Sequence, residues 1–586
     1  MKRSKSRAEI FAGKMVCRAG WSLAAALAVG VAAQAQQTTT IAPCEVSVQA
    51  SPLIPVDSWV YPAMLRLYGL GYVDSAFIGM RPWTRVNVLH FLDEADAGLA
   101  AAKDGPAADE ARQIVSAVRR EMKPDAEACG EKLARVESVY SAVRGISGTP
   151  LRDSFHLGST IINDYGRPYE NGGNSFSGAS GYATAGRFTV YLRGEFESAP
   201  SAAGYSTTLA QYLSTSVDQI TFLNSATGKP YYQATIPLGP LDTVKQGRIQ
   251  EAYVSAQLMG HIVSFGKQDE WLGPAQGASM AYSNNADNVY AFHINRIEPL
   301  TIPFLSRLTG PFRYEFLVGP TKGHNAPLDP WVHVEKISLK PTPNLELGFE
   351  RTAIWGGKGH TPITLHSFLK SFFSLTAPQA DKKFSRDDPG ARFGSFDFSY
   401  RLPFARRSLM LYTDGEVHDD MSPIDAPRRA SWRPGLYLSQ VPGLPKLDLR
   451  VEAAYTDPPI TNSNRGQFMY WEGVQKSGYT NNGQIFGDWI GREGKAGQAW
   501  ATYHLSGNEW IQAAWRHHKN AKDFIVGGTT LNDLDLQFVK RIKHDFEINA
   551  NFKLEHWKAP VYKTGSQTVT ATTVQFTWYP QRKVNF

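Results

Sequence analysis

From residue 150 to residue 586 the sequence alternates polar and apolar side chains in runs that are unusually long and unusually charged on one face. Phe546, Ile548, Ala550, Phe552 and Leu554 alternate with Asp545, Glu547, Asn549, Asn551, Lys553 and Glu555. Successive side chains on a strand point to opposite faces. This stretch therefore has one wholly apolar face and one face of acids, amides and a base. A strand of about ten residues patterned this way fits lipid on one side and a wet lumen on the other. The pattern recurs. Phe188, Val190, Leu192 and Phe196 alternate with Arg187, Thr189, Arg193 and Glu195; Leu345, Leu347 and Phe349 alternate with Glu346 and Glu350; Leu447, Leu449, Val451, Ala453 and Tyr455 alternate with Asp448, Arg450, Glu452 and Ala454. Gly, Pro, Asn and Asp clusters separate the runs, as turns require.

No stretch after residue 35 has the roughly eighteen consecutive apolar residues that mark a membrane helix. Barrel strands escape that criterion because they hide in alternation. The predicted fold is mainly β: a large antiparallel transmembrane β-barrel over residues 151–586. At about ten residues per strand plus loops, the segment holds on the order of 16–20 strands. No internal repeat of fixed period points to a propeller or β-helix. Trp557, Trp578 and Tyr579 fall near strand ends, where interfacial aromatic girdles are expected. Phe586 is the terminal aromatic that barrel assembly machinery reads.

The first 35 residues read as a cleaved signal peptide. Lys2, Arg3, Lys5, Arg7, Lys14 and Arg18 precede an apolar run from Ala19 to Ala33, which ends in the small-x-small pattern Ala33-Gln34-Ala35. Export to the outer membrane is the localisation this implies. The leader also carries most of the +7 net charge. The remaining chain is nearly neutral, shows no basic stripe, and gives no reason to expect nucleic acid as a partner. Cys17 leaves with the leader. Cys44 and Cys129 form an even pair in an oxidising compartment, which favours a disulfide.

Residues 36–150 read as a periplasmic helical domain of four helices. Val60, Met64, Leu65 and Leu67 share a face ahead of Gly69 and Gly71. Thr84 is an N-cap for a helix through Val88, Phe91, Leu92 and Leu99. A third helix spans Ala107–Met122 with Ile114 and Val118 inward, and a fourth spans Pro124–Val143 ahead of Gly145.

Several short motifs resemble the Wzi-type capsule-assembly family of outer-membrane proteins. They begin with Val56-Asp57-Ser58-Trp59-Val60-Tyr61-Pro62 and Arg81-Pro82-Trp83-Thr84-Arg85. They continue through Gly266-Lys267-Gln268, Trp271-Leu272-Gly273-Pro274, Ser283-Asn284-Asn285-Ala286 and Glu346-Leu347-Gly348-Phe349. They end with Ser477-Gly478-Tyr479-Thr480, Gly483, Gly487, Ile490 and Gly491. The motifs keep their order across roughly residues 55–505. The resemblance implies an 18-stranded barrel with a helical bundle at its periplasmic mouth. It also implies a role in assembling capsular or related exopolysaccharide on the cell surface, or attaching it there. This chain is longer than typical relatives, with additional outer-loop material.

No nucleophile elbow, zincin helix or phosphate loop is present, so no catalytic residue, cofactor or metal ligand is assigned. Asp414, Glu416, His418, Asp419 and Asp420 could hold calcium, but without regular ligand spacing they read as a solvated loop. His517 and His518 are adjacent on a strand and face opposite ways, so they cannot easily share a metal. Asp387-Asp388 and Glu346 with Glu350 could in principle serve a glycosidase, which needs two carboxyls across one bond. Lumen acids are the simpler reading. Trp271, Asn284, Asn285 and Tyr479 are the candidate glycan-binding residues: aromatic faces stack on sugar rings and amides bond hydroxyls. The plainer alternative is that Trp271 fills the lumen and the asparagines make turns. The expected function is non-enzymatic binding of capsular or exopolysaccharide. Outer-membrane lipid and the barrel assembly machinery are its other partners. A porin-like sugar channel and a barrel-borne glycoside hydrolase are the rivals.

Overall fold

The computed structural model describes residues 50–128, 132–221, 231–374, 380–458, 466–581 and 583–585. The leader, Cys44, Cys129 and Phe586 lie outside the described residues.

Eighteen antiparallel strands close into a barrel. They are β1 (Leu133–Ser147), β2 (Gly172–Ala185), β3 (Phe188–Ala199), β4 (Val244–Leu258), β5 (His261–Lys267), β6 (Tyr290–Arg296), β7 (Phe312–Pro320), β8 (Trp331–Thr342) and β9 (Leu345–Trp355). The second half comprises β10 (Ala391–Arg401), β11 (Leu409–His418), β12 (Ser431–Leu438), β13 (Leu447–Tyr455), β14 (Gly494–Ser506), β15 (Glu509–Asn520), β16 (Thr529–Ile542), β17 (Phe546–Ala559) and β18 (Lys563–Trp578). The seam joins β1 to β18, from Val139 opposite Trp578 to Ser147 opposite Thr570. Lys583–Asn585 prolong it against Leu133–Arg135. Closure leaves no unpaired strand edge, the condition for crossing lipid with strands.

The alternation maps onto the wall as expected. On β3, Phe188, Val190, Leu192 and Phe196 are more than half exposed, whereas Thr189, Tyr191, Arg193, Glu195 and Glu197 are buried in the lumen. On β17, Glu547, Lys553 and Glu555 point inward. Of the expected girdle residues, only Trp578 faces out, stacked on Phe546 at 6.2 Å. Trp557 lies in phase with Lys553 and Glu555. It points into the barrel and donates its indole N–H to the Thr149 carbonyl (2.9 Å). Tyr579 is also interior, against Trp59 and Arg541.

Connections at one end of the barrel are mostly short, 297–311 being the longest, and most of those at the other are long, the asymmetry of periplasmic turns and outer loops. The helices sit at the short-turn end. The Ala50 N–H donates to the Gly186 carbonyl (3.0 Å), and the Gly507 N–H donates to Gln113 (3.1 Å). Among the described residues the bundle has three helices: α1 (Val60–Gly69), α2 (Arg85–Ala100) and α3 (Pro106–Ala128). Gly71, at φ +76°, turns the chain out of α1. Thr84 caps α2 through a reciprocal capping box with Asn87. Their apolar faces form one cluster that includes Leu67, Val88, Leu92, Ile114 and Val118, and it continues onto Met410, Tyr412 and Tyr437 of the barrel.

The expected fourth helix over Pro124–Val143 is absent. Pro124 lies inside the end of α3, and residues 133–147 are β1, so the barrel begins before residue 151. A β-bulge interrupts the strict alternation of this strand. The register of β1 against β2 shifts between Val136 and Ser138. That shift places outward-facing Val136, Val139 and Val143 three and four residues apart, the spacing of a helix face.

Candidate functional site

Long outer loops turn inward and fill much of the barrel, and the resemblance motifs meet there. Arg81 of the helical domain pairs with Trp271 backbone to backbone (3.0 and 2.9 Å). Its guanidinium lies 4.9 Å over the Trp271 ring and donates to the carbonyls of Gly273 (3.0 Å) and Ala275 (3.2 Å). The Leu272 N–H donates to Tyr282 (2.9 Å), and the Ser283 N–H to Phe486 of a second loop (2.8 Å). Gly487 must lack a side chain because a Cβ there would overlap the Met280 carbonyl. The helical bundle, the segment 268–289 and the segment 466–493 thus form one continuous plug.

All four expected glycan-binding residues lie inside it. Trp271, Asn284, Asn285 and Tyr479 have exposures of 6%, 6%, 4% and 1%. The Asn284 carbonyl accepts from the Tyr165 N–H (2.7 Å), and Asn285 donates to the Ile485 carbonyl (3.1 Å). Tyr479 packs on Phe393 (5.2 Å), Phe486 (5.1 Å) and Tyr470 (6.1 Å). The structure brings these residues together but offers no open ring face at any of them.

The Asp414 group is not a solvated loop. Asp414, Glu416 and His418 are alternate inward residues of β11, and Asp414 accepts from the Met280 N–H (2.7 Å) and the Ser279 hydroxyl (3.1 Å). Asp419 contacts Lys383 and Arg392, each at 3.4 Å. His517 and His518 face opposite ways as expected, with His518 edge-on to Trp489 and His517 bonded to Asn532. Glu346 accepts the N–H groups of Ile78 (2.8 Å) and Gly79 (3.1 Å), which makes it a docking contact for the bundle.

A second set of contacts, invisible in the sequence because its members are scattered, fastens the outer cap. The His156 imidazole bridges Asp153 and Asp218, each at 2.9 Å, and Arg492 donates to the other oxygen of Asp218 (2.6 Å). Gln233 donates to Asp218 as well (2.7 Å). These contacts lock three outer loops together out of water. Burial disfavours charge on His156, but the two carboxylates outweigh it and push its pKa up to about 9. Asp218 is held below its usual range, because His156 and Arg492 outweigh its burial.

A pH dependence follows from these directions. His156 is raised, so its contribution is complete below its unfolded pKa of 6.5 and is lost as pH climbs through about 9. At about 1.4 kcal/mol per pKa unit, that contribution is on the order of 3 kcal/mol. Asp218 is lowered, so its contribution is present above 3.8 and is lost as pH falls below it. Limited proteolysis of the outer loops should therefore be slowest between about pH 4 and 6.5 and accelerate towards pH 9, and His156→Gln should flatten the alkaline arm. An unchanged profile in that variant would remove His156 from the lock.

One part of the lumen stays open. A polar cavity of about 440 Å³ lies against β1–β3 and β14–β18, lined by residues including Asp57, Arg193, Arg516, Asp533, Lys553 and Gln575. At its floor, on the side of the helical bundle, the Arg541 guanidinium lies 3.7 Å from the centre of the Trp59 ring and 4.6 Å from that of Tyr579. The outer surface of the cap offers amides and half-buried rings. Gln219 and Gln467 bond one another (2.7 Å), and Arg429 lies 5.4 Å over Phe468.

Against this architecture, the comparisons with known proteins are direct. No curated protein sequence is significantly similar to the chain. Among solved structures, it is similar to Wzi of Escherichia coli, described as an outer-membrane protein involved in group 1 capsule assembly and a carbohydrate-binding β-barrel. Identity is 16% over 92% of this chain and 100% of that one, with a TM-score of 0.62. OprD of Pseudomonas aeruginosa matches at 10% identity, 77% of this chain, 95% of that one and a TM-score of 0.39. OccAB3 of Acinetobacter baumannii matches at 9%, 77%, 99% and 0.38. The family model described as "Capsule assembly protein Wzi" matches residues 142–572. The chain is an outer-membrane β-barrel that belongs to the Wzi capsule-assembly family.

Proposed function

We propose that this protein holds capsular or related exopolysaccharide at the cell surface by non-covalent binding to its outer cap. The observation that carries this reading is the plug. The chain's own bundle and inward loops occupy the lumen from both ends, and the cap they build is fastened by buried charges. That arrangement suits a rigid docking platform better than a conduit. Family membership supports the substrate class, and glycan binding needs only ring faces and hydroxyl partners, with no nucleophile or tuned acid. Trp271, Asn284, Asn285 and Tyr479 act here as positioning residues that shape the cap from beneath.

Deleting the gene should leave polymer synthesis largely intact while several-fold more polysaccharide appears in the medium and less stays cell-bound. The assay is the ratio of released to cell-associated polymer. A deletion strain that sheds no more than its parent would defeat the proposal. The polar cavity favours one second reading, a gated passage for small sugars. Steady single-channel openings of the intact protein in a planar bilayer would establish it.

A further inference from the structure

We propose that Glu270, His293 and Glu315 form a buried binding site for a divalent transition-metal ion such as Zn2+, held between the plug and the barrel wall. Glu270 follows β5 on the inward segment, one residue before the Trp271 backbone that Arg81 clamps. His293 and Glu315 project inward from neighbouring β6 and β7, where Asn295 stands opposite Glu315 and Leu317 opposite His293. Three elements distant in sequence thus converge, and one ligand atom from each lies within 4.8 Å of the others. All three residues are buried, at 1–3% exposure.

The one possible counter-charge in contact, among the described residues, is His293 itself, whose Nδ1 lies 3.2 Å from Glu270 Oε1, and Arg313 acts on Glu315 only at longer range. Among the described residues, no Lys or Arg comes within ion-pairing distance of Glu270 or Glu315. The two nearest candidates are committed elsewhere. Lys336, directly opposite Glu315 in register, reaches Asp397 (2.6 Å) and Glu350 (3.4 Å) instead. Arg313, two residues along the same face, donates to the Arg296 carbonyl (2.9 Å) and to Asn295 (3.1 Å). Among the described residues, no N–H or hydroxyl donor reaches either Glu315 oxygen, Glu270 Oε2 or His293 Nε2, and the Glu270 and Glu315 carboxyls face one another closely enough to share a proton. Elsewhere in the lumen most acids are paired, as Glu195 is with Arg167 and Glu555 with Arg516.

Two buried carboxylates without a cation are costly unless they are neutralised. A divalent ion would neutralise both while using the vacant lone pairs. Imidazole with carboxylates is a ligand set suited to Zn2+ and its first-row neighbours, and three protein ligands leave a position for water. Behind the cluster, the Gln268 amide nitrogen lies 3.1 Å from both His293 Nδ1 and Glu270 Oε1, and its oxygen is held by Ser264. The ion would tie the plug to the wall at a point the bundle does not reach.

The test is the metal content of full-length protein, extracted in detergent from cells grown with added zinc salt and measured by elemental mass spectrometry. About one equivalent per chain is expected for the wild type. At least tenfold less is expected for His293→Ala and Glu315→Gln that still migrate as folded barrels. Metal-free wild type, as a carboxylate pair sharing a proton would give, overturns the proposal, and so does undiminished metal in the folded variants. Should neither variant fold, X-ray absorption of the wild type decides. One imidazole and oxygen ligands near 2.0–2.2 Å support the site, and a shell containing sulfur or lacking imidazole overturns it.

Discussion

Replacing Arg433 by Met should destabilise the folded barrel by about 3–5 kcal/mol, the usual cost of breaking a buried ion pair from one side. Arg433 of β12 binds Asp488 through two nitrogens (2.6 and 2.8 Å), Glu452 of β13 (2.8 Å) and Gln498 of β14 (3.0 Å), all out of water. The substitution preserves most of the volume and leaves two buried carboxylates facing one another. The loss should appear as a lower temperature at which the compact, unboiled form disappears on gel electrophoresis. Adding Asp488→Asn should recover part of it, since one of the stranded charges is then gone. An unchanged transition in Arg433→Met would show that water reaches these acids and that the plug is looser than its contacts indicate.

Arg85→Met should unseat the helical bundle. Its guanidinium joins Glu121 (3.1 Å) and Asp125 (2.7 Å) of α3 to Glu137 of β1 (3.1 Å), and Arg135 of β1 reaches back to Glu121 (2.8 Å). The expected loss is again about 3–5 kcal/mol, and each 1.4 kcal/mol is tenfold in population. The open state of the bundle should therefore rise at least a hundredfold. Protease cleavage within residues 50–128 should accelerate accordingly while the barrel core stays resistant, because cleavage tracks the open population when reclosing is fast. Equal cleavage rates for variant and wild type would mean that the apolar face shared with Met410 and Tyr437 is sufficient to dock the bundle alone.

The barrel wall was legible because its rule is local. Lipid outside and water inside impose a period of two, and Phe546 to Glu555 display it without help from any distant residue. The same rule, applied strictly, would have placed Trp557 indoors with Lys553 and Glu555; its aromatic character misdirected the reading. The helix expected over Pro124–Val143 failed for another reason: Pro124 and Gly145 look like helix boundaries, but Pro124 lies inside α3 and residues 133–147 are the first strand. What fills the barrel was legible only at Trp271, which the plainer reading placed in the lumen. Gly273, Asn284, Gly478 and Gly487 look like ordinary outer-loop residues. Only their partners, Arg81, Tyr165 and Met280 among them, show that these loops dive inward. The same holds for His156 with Asp218 and for Glu270 with His293 and Glu315. Each set is assembled from separate loops and strands by tertiary folding, and no spacing in the sequence encodes it.

The seam between β1 and β18 has a consequence for how such a molecule can be made. The segment 268–289 leaves the wall between β5 and β6 and lies inside a hoop that closes only when the last strand meets the first. Rooted between β5 and β6, it reaches across the hoop to Asp414 on β11 and Glu452 on β13. Threading so bulky a polar lobe into a finished cylinder would require stripping its water and parting its wall. The lobe is therefore best placed while the cylinder is still an open, curved sheet, with the seam as the final stitch. A chain whose ends join too early would leave its polar segments stranded outside. Reopening the seam would then be its only way back, so the timing of closure, as much as the contacts themselves, selects the plugged form.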